Sequence, residues 1–236
     1  MLPTAEEWEI LALSLRVAFW SVLVSLPLAV AVAHTLARSN FPGKTLFDAT
    51  VHLPLVLPPV VVGYLLLLLF GRRGPVGVWL EEWFGIVFAF RWTGAALAAG
   101  IMGFPLMVRA VRLSFESIDR KLEAAASTLG AGRTGVFLTV TLPLALPGII
   151  TGVLLSFARS LGEFGATITF VSNIPGETRT LPLAIYTYTQ TPSGDEAALR
   201  LSLIAVLLSL AALYVSEVLV RRAAKRVRGD DADGRH

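Results

Sequence analysis

Long apolar runs separated by short polar and basic stretches dominate the chain. Five of these runs reach the length of about 20 helical residues that a bilayer hydrocarbon core requires. The pattern therefore predicts an all-α protein, a bundle of about five membrane-spanning helices in a single domain covering residues 1–236. The predicted spans lie near residues 10–37, 51–70, 92–113, 136–157 and 199–220.

Two of the runs carry further local signals. Pro58 and Pro59 lie inside the second run, where they predict a kink or a delayed first turn. The third run is rich in small residues, which let helix backbones approach closely, so we expect this span to pack against other helices. The alternative is a span that is merely rich in alanine. The small residues are Ala95, Ala96, Ala98, Ala99, Gly100 and Gly103.

A stretch between the last two spans does not fit this simple pattern. Within residues 158–198, the segments GATITFV and TLPLAIYTY are apolar but too short to cross a bilayer as helices. We expect them to form a short re-entrant or sixth helical element on the outer side of the membrane.

Composition supports a membrane protein and excludes several kinds of site. Hydrophobic residues make up 55% of the chain and charged residues only 16%, against about 25% charged in soluble domains. The chain has no cysteine, which excludes disulfides, thiolate metal sites and a cysteine nucleophile. Its three histidines are scattered, so we expect no metal site.

The positions of the basic residues predict the orientation of the chain. They concentrate at Arg38 and Lys44, in the loop after the third span and in the tail 221–236. Cytoplasmic segments of membrane proteins carry such an excess, so we place the N-terminus outside and the C-terminus in the cytoplasm of a bacterial inner membrane. Because the basic residues lie beside spans rather than on a soluble face, we expect no nucleic-acid partner.

The cytoplasmic loop 114–135 has the signals of a short helix followed by a sharp turn. Asp119 can cap the helix, Leu122 and Leu129 fall on one face, and Gly130 stands where a left-handed residue is expected. The chain then returns to the membrane at Leu142-Pro143. An ordinary solvated loop helix is the alternative to a helix that docks on a partner.

The spacing within this loop resembles the Glu-Ala-Ala loop of ABC importer permeases. Nine residues separate Gly130 from Val140-Thr141-Leu142-Pro143, as in that family, but Glu123 precedes Gly130 by seven residues instead of six. The departure leaves the role of Glu123 open. The resemblance implies a loop that docks on a separate ATPase subunit. Its residues are Leu122, Glu123, Ala124, Ala125, Ala126, Leu129, Gly130, Leu142 and Pro143.

A second stretch, residues 158–192, resembles bacterial molybdate permease subunits. The resemblance implies a type I importer permease that translocates molybdate as a homodimer, with two cytoplasmic ABC ATPase subunits and an external molybdate-binding protein. Sulfate, thiosulfate and tungstate permeases of the same class are alternatives. A non-transporting membrane scaffold is a further alternative, which would not need the spaced Gly130 and Leu142-Pro143.

The sequence shows no catalytic constellation. It lacks the GxxxxGK[ST] phosphate loop, so we expect no cofactor in this chain and ATP with Mg²⁺ only in a partner subunit. The middle of the second and fourth spans carries no charged residue, whereas carriers driven by protons or sodium usually bury ionisable groups there. We therefore expect a transporter subunit that is not itself an enzyme.

The segment Leu161–Gly165 is the candidate gate, because two glycines permit a bend around Phe164. Glu163 is expected to pair with Arg159, four residues earlier, rather than meet an anion that it would repel. An ordinary helix-breaking turn is the alternative. The candidate gate and pathway residues are Gly162, Glu163, Phe164, Gly165, Thr167 and Thr169. The alternative for the two threonines is that their hydroxyls hydrogen-bond carbonyls of their own helix.

Overall fold

The computed structural model describes residues 4–233, and every regular element in that range is helical. This confirms the all-α prediction. The elements are α1 (Ala5–Arg38), α2 (Lys44–Val56), α3 (Pro59–Phe70), α4 (Pro75–Phe84), α5 (Trp92–Ser117), α6 (Arg120–Thr128), α7 (Arg133–Val136), a π-helical segment (Phe137–Thr141), α8 (Leu142–Leu161), α9 (Gly165–Val171), α10 (Leu181–Thr189) and α11 (Asp195–Asp233).

Four continuous helical stretches of the described chain are long and apolar enough to cross a membrane. They are Ala5–Arg38, Trp92–Ser117, Arg133–Leu161 and Asp195–Arg222. A fifth span is formed if α2 and α3 are counted together. The predicted count of about five spans is therefore matched. The helices begin at or before the predicted starts and end at or after the predicted ends, and α11 runs on to Asp233. Of the predicted basic tail 221–236, residues 234–236 lie outside the described residues.

The predicted second span consists of two helices, with a sharp break where the sequence predicted a kink or a delayed first turn. Helix α2 begins at Lys44, before the predicted start near residue 51, and α2 and α3 meet at an angle of 111°. Pro58 and Pro59 explain the break because neither has an N–H to donate, and a proline also drives the preceding residue into extended backbone. Leu57 has that extended conformation, with φ −70° and ψ 142°.

The centre of the bundle is α5, which packs between α1 and α8. Its six small residues are all buried, which confirms the prediction that this span faces other helices. A Cβ atom at Gly100 would lie 3.0 Å from the hydroxyl of Ser25 on α1. A Cβ at Gly152 of α8 would lie 3.0 Å from the Met107 carbonyl of α5. These close approaches give the three helices their shared core.

Residues 158–198 form two short helices between the ends of α8 and α11. Helix α9 packs against α3 and α5, while α10 packs against α11 and α1. Neither is long enough to span a bilayer on its own, as the sequence predicted. The Ser14 hydroxyl of α1 donates to the Ile10 carbonyl at 2.8 Å and accepts the Leu181 N–H at 2.7 Å, which fixes the start of α10 against α1.

Candidate functional site

Helix α6 is a short helix with a defined beginning and end. The Asp119 carboxylate accepts the Lys121 N–H at 2.9 Å, as the predicted cap requires. At the other end Gly130 has φ +91°, the left-handed conformation expected for it. The Gly130 N–H bonds the Ser127 carbonyl and the Ala131 N–H bonds the Ala126 carbonyl, which together form a Schellman ending.

One face of α6 presents apolar side chains to the outside. No residue of the helix is buried, Leu122 is 50% exposed and Leu129, directly after it, is 89% exposed. Ala124 and Ala125 are also exposed, and their small side chains would let another protein approach the helix backbone closely. An isolated chain gains nothing by exposing Leu122 on a nine-residue helix and Leu129 directly after it, and such a surface is typical of a docking site.

The carboxylate of Glu123 points the other way, toward its own chain. Its Oε1 atom accepts a hydrogen bond from Arg38 Nη2 at 3.0 Å and another from Thr141 Oγ1 at 2.8 Å. Arg38 is the last residue of α1, and Thr141 ends the π-helical segment. The sequence predicted neither partner, because both lie far from Glu123 along the chain and no local spacing connects them.

The segment just before Leu142-Pro143 is a π-helix. The Leu142 N–H bonds the Phe137 carbonyl five residues back, and Pro143 then provides no N–H at all. A π-helix is rare, and single π-turns inside α-helices often lie at functional sites. Here it lies where the chain passes from the loop into the fourth span.

The break between α8 and α9 is organised by Glu163. Its side chain is buried, with Oε2 lying 2.6 Å from Arg159 Nη1 and Oε1 accepting the Ala166 N–H at 2.8 Å. The ion pair with Arg159 is the one that the four-residue spacing predicted. Glu163 therefore neutralises a cation and caps α9, which leaves no free carboxylate at this position.

Phe164 and Gly165 lie against neighbouring elements. The Phe164 ring stands 5.2 Å from the Tyr186 ring of α10, measured between centroids. A Cβ atom at Gly165 would lie 2.8 Å from the Pro59 side chain, so α9 closely approaches the start of α3. Whether Phe164 closes a passage stays a prediction.

The two threonines proposed to line a pathway differ in their surroundings. Thr169 donates its hydroxyl to the Gly165 carbonyl at 2.9 Å, within its own helix. Thr167 is 1% exposed. Neither of them lines the apolar cavity of about 520 Å³ that opens among α1, α2 and α5. The hydroxyl groups that do line the cavity belong to Ser21, Ser25, Thr50 and Thr93.

Ion pairs also hold the opposite end of the bundle, where α1 begins. Glu7 is 1% exposed, and its Oε1 atom lies 3.1 Å from the Arg200 guanidinium of α11. Glu7 also closes a capping box with Thr4. The Thr-x-x-Glu spacing could have revealed the cap, but not the contact with α11. Nearby, burial raises the pKa of the Tyr188 phenol, and the Glu6 carboxylate raises it further.

Comparisons with known proteins agree with this architecture. Residues 25–229 match the family described as binding-protein-dependent transport system inner membrane component. The chain is 61% identical over 226 residues to the molybdenum transport system permease protein ModB of Escherichia coli K12, covering 96% of this chain and 99% of that protein. ModB of Haemophilus influenzae is 59% identical, with 94% and 97% covered.

More distant relatives and solved structures extend the likeness. The sulfate transport system permease protein CysT of Escherichia coli K12 is 36% identical, with 95% of this chain and 84% of that protein covered. A bacterial alginate ABC transporter has a chain with a TM-score of 0.74 at 17% identity, covering 94% of this chain and 81% of that one. The MetNI methionine ABC transporter gives 0.66 at 17% identity, with 92% and 94% covered. At these identities the structures show a shared fold.

Proposed function

This chain belongs to the family of binding-protein-dependent transport system inner membrane components, and from that premise we propose that it is the membrane-spanning subunit of an ATP-driven importer for molybdate. The observation that carries the proposal is identity of 61% to a molybdenum permease along almost the whole of both chains. The chain is a multi-pass membrane protein and a permease component, and the chemistry of ATP hydrolysis would belong to another subunit.

The proposed contact with that ATPase is the exposed face of α6. Leu122 and Leu129 would enter a cleft on the ATPase, and the surrounding alanines would let the two backbones approach. The Schellman ending at Gly130 supports this role because its two backbone hydrogen bonds define where α6 ends, directly beside Leu129. ATP and Mg²⁺ would bind the partner, with no cofactor in this chain.

The proposed assembly contains two permease chains, two ATPase subunits and one external binding protein. About five spans per chain leave room for only half of a translocation pathway, so a homodimer would complete it. The α6 surface would face the cytoplasm and the start of α1 would face outside, in agreement with the distribution of basic residues. The alginate transporter was solved with a periplasmic protein, and a binding protein would act on this permease from the same side.

The proposed mechanism is alternating access. The binding protein would deliver the dianion, ATP binding would close the ATPase pair, and the two α6 helices would draw the bundles into an outward-facing arrangement. A pathway without a fixed arginine suits this cargo, because strong binding would trap a divalent anion instead of releasing it. The segment Leu161–Gly165 is the proposed gate, with Thr167 and Thr169 beside it.

The test is ATP-dependent uptake of labelled molybdate into vesicles that contain this chain with its ATPase and binding protein. We expect uptake that persists in excess sulfate and is lost in the Gly130→Pro variant, because proline cannot adopt φ +91°. Lys121→Gln, on the exposed side of the same helix, is the matched control and should transport normally.

Sulfate is the second candidate cargo. It is favoured only by relatives at lower identity, such as the sulfate permease at 36%. Uptake of sulfate in place of molybdate would support the importer function and show that the assigned cargo is wrong. A complete and well-folded complex that takes up no oxyanion with ATP would refute the proposed function.

A further inference from the structure

Glu123 differs from the rest of α6 in what it contacts. Among the described residues, the other side-chain hydrogen bonds of α6 stay within the helix or its cap, as Ser127 and Thr128 do with carbonyls one turn earlier. Glu123 alone reaches two membrane-spanning segments, through Arg38 and Thr141. Its carboxylate is therefore engaged inside this chain and turned away from the leucine face.

The Arg38 side of this contact is well enclosed. The Arg38 side chain is 12% exposed and that of Glu123 is 21% exposed, so the ion pair is partly shielded from water. Arg38 Nη2 also lies 3.4 Å from the Ile118 carbonyl at the end of α5. One turn earlier on α1, the His34 ring packs edge-on against Phe137, with centroids 5.0 Å apart. The end of α1 therefore makes two neighbouring contacts: an aromatic one with the π-helical segment through His34, and an ion pair with α6 through Arg38.

The Thr141 side connects to the fourth span. Thr141 is 2% exposed, and its hydroxyl is the donor to Glu123. It directly precedes Leu142-Pro143, where α8 begins. By contrast, the chain connection from α6 to α7 passes through Gly130 and Gly132, where an added Cβ would meet nothing within 4 Å. The turn between α6 and α7 is thus held by backbone hydrogen bonds, with open space beside both glycines, and Glu123 adds a direct side-chain link to the start of α8.

We infer that Glu123 is a positioning residue that fixes α6 to the inner ends of α1 and α8, so that these helices follow α6 when the ATPase moves it. The inference rests on the proposed function and deepens it. It assigns Glu123 to the interior of the permease and leaves the ATPase contact to the leucine face. Arg38 and Thr141 hold Glu123 in place, and we call the three side chains together the inner clasp.

The first test measures molybdate taken up per ATP hydrolysed in the reconstituted complex. We expect Glu123→Gln and Thr141→Val to lower this ratio at least tenfold while ATPase binding and hydrolysis change less than twofold. Thr141→Ser keeps the hydroxyl and should retain the ratio. Because Arg38 and Glu123 act together, Arg38→Gln combined with Glu123→Gln should lose no more than either change alone.

A second measurement does not depend on the cargo. The chain has no cysteine, so spin labels can be placed at Ser39 and Lys121 alone. With labelled chains diluted into unlabelled ones, ATP should leave the distance between these labels unchanged in the native sequence. In Glu123→Gln the same distance should widen or spread, because α6 then moves without α1.

The outcomes separate the inference from the proposed function. If the native complex takes up no molybdate but the label distances behave as expected, the clasp holds and the assigned cargo is wrong. If Glu123→Gln loses ATPase binding with an unchanged label distance, Glu123 faces the ATPase and the inference is overturned. An unchanged uptake ratio in both Glu123→Gln and Thr141→Val would overturn it as well.

Discussion

The contact between α3 and α9 allows a stringent test of the packing around the proposed gate. Gly63 lies on the buried face of α3, against the backbone of α9. A Cβ atom at Gly63 would lie 2.5 Å from the Ala166 carbonyl oxygen and 2.9 Å from both the Ala166 Cα and the Thr169 Cβ. Reaching ordinary van der Waals distance would require α9 to retreat by roughly 1 Å.

The expected cost of Gly63→Ala follows from two opposing effects. Alanine in place of glycine stabilises a helix by about 1 kcal/mol. Overpacking a close contact costs about 1–3 kcal/mol, and the upper part of that range applies here because the obstacle is backbone that cannot rotate away. We expect a net loss of about 1–2 kcal/mol in the free energy of unfolding. In a chain of this size that corresponds to a melting temperature lower by roughly 2–8 °C.

The assay is thermal unfolding of the purified permease in detergent, followed by the fluorescence of its five tryptophans. Gly135→Ala is the matched control, since it is also a helical glycine but its added Cβ would meet only the Ala131 Cβ at 3.8 Å. We expect this control to melt at or above the native temperature.

Gly165→Ala probes the same contact from the other side, where a Cβ would lie 2.8 Å from Pro59. The double variant with Gly63→Ala should lose less than the sum of the single losses, because the first change already separates the helices. If Gly63→Ala is as stable as Gly135→Ala, α3 and α9 do not pack as described and the reasoning fails.

Three further predictions concern other contacts. Arg200→Gln should lower the free energy of unfolding by roughly 3 kcal/mol because it leaves the buried Glu7 without its cation. The control Glu196→Gln removes an exposed carboxylate and should change the melting temperature little. Equal melting temperatures of the two variants would contradict this. Thr169→Val should keep molybdate uptake within twofold because its hydroxyl bonds its own helix, and a tenfold loss would show that the hydroxyl meets the anion. Phe164→Ala should let molybdate leak without ATP if the ring closes the pathway, and tight vesicles with unchanged uptake would remove Phe164 from the gate.

Local spacing was sufficient to predict much of the architecture. The apolar runs indicated the spans, Asp119 and Gly130 marked the two ends of α6, and the four-residue spacing of Arg159 and Glu163 gave their ion pair. In each case the interacting groups are neighbours within one helix or turn, so their geometry follows from helix periodicity.

Contacts between distant segments were beyond the same reasoning. Arg38 and Glu123 are separated by 85 positions, and Glu7 and Arg200 by 193. The pairing of such residues depends on how α1 lies against α6 and α11, which periodicity does not determine. The 111° angle between α2 and α3 was missed for a similar reason, since Pro58-Pro59 predicts an interruption but not the direction in which the chain continues.

The π-helical segment also constrains how the length of this chain can vary. A π-turn amounts to one residue inserted into an α-helix, and one residue corresponds to a rotation of about 100° around the helix axis. Phe137–Thr141 therefore sets the phase between the side chains that meet α6 and those of α8 that face α5. A chain one residue shorter here would form an uninterrupted α-helix, yet it would turn either Thr141 or the small residues of α8 away from their partners. The π-helical segment thus lets one continuous helical stretch contact α6 through Thr141 and α5 through the small residues of α8.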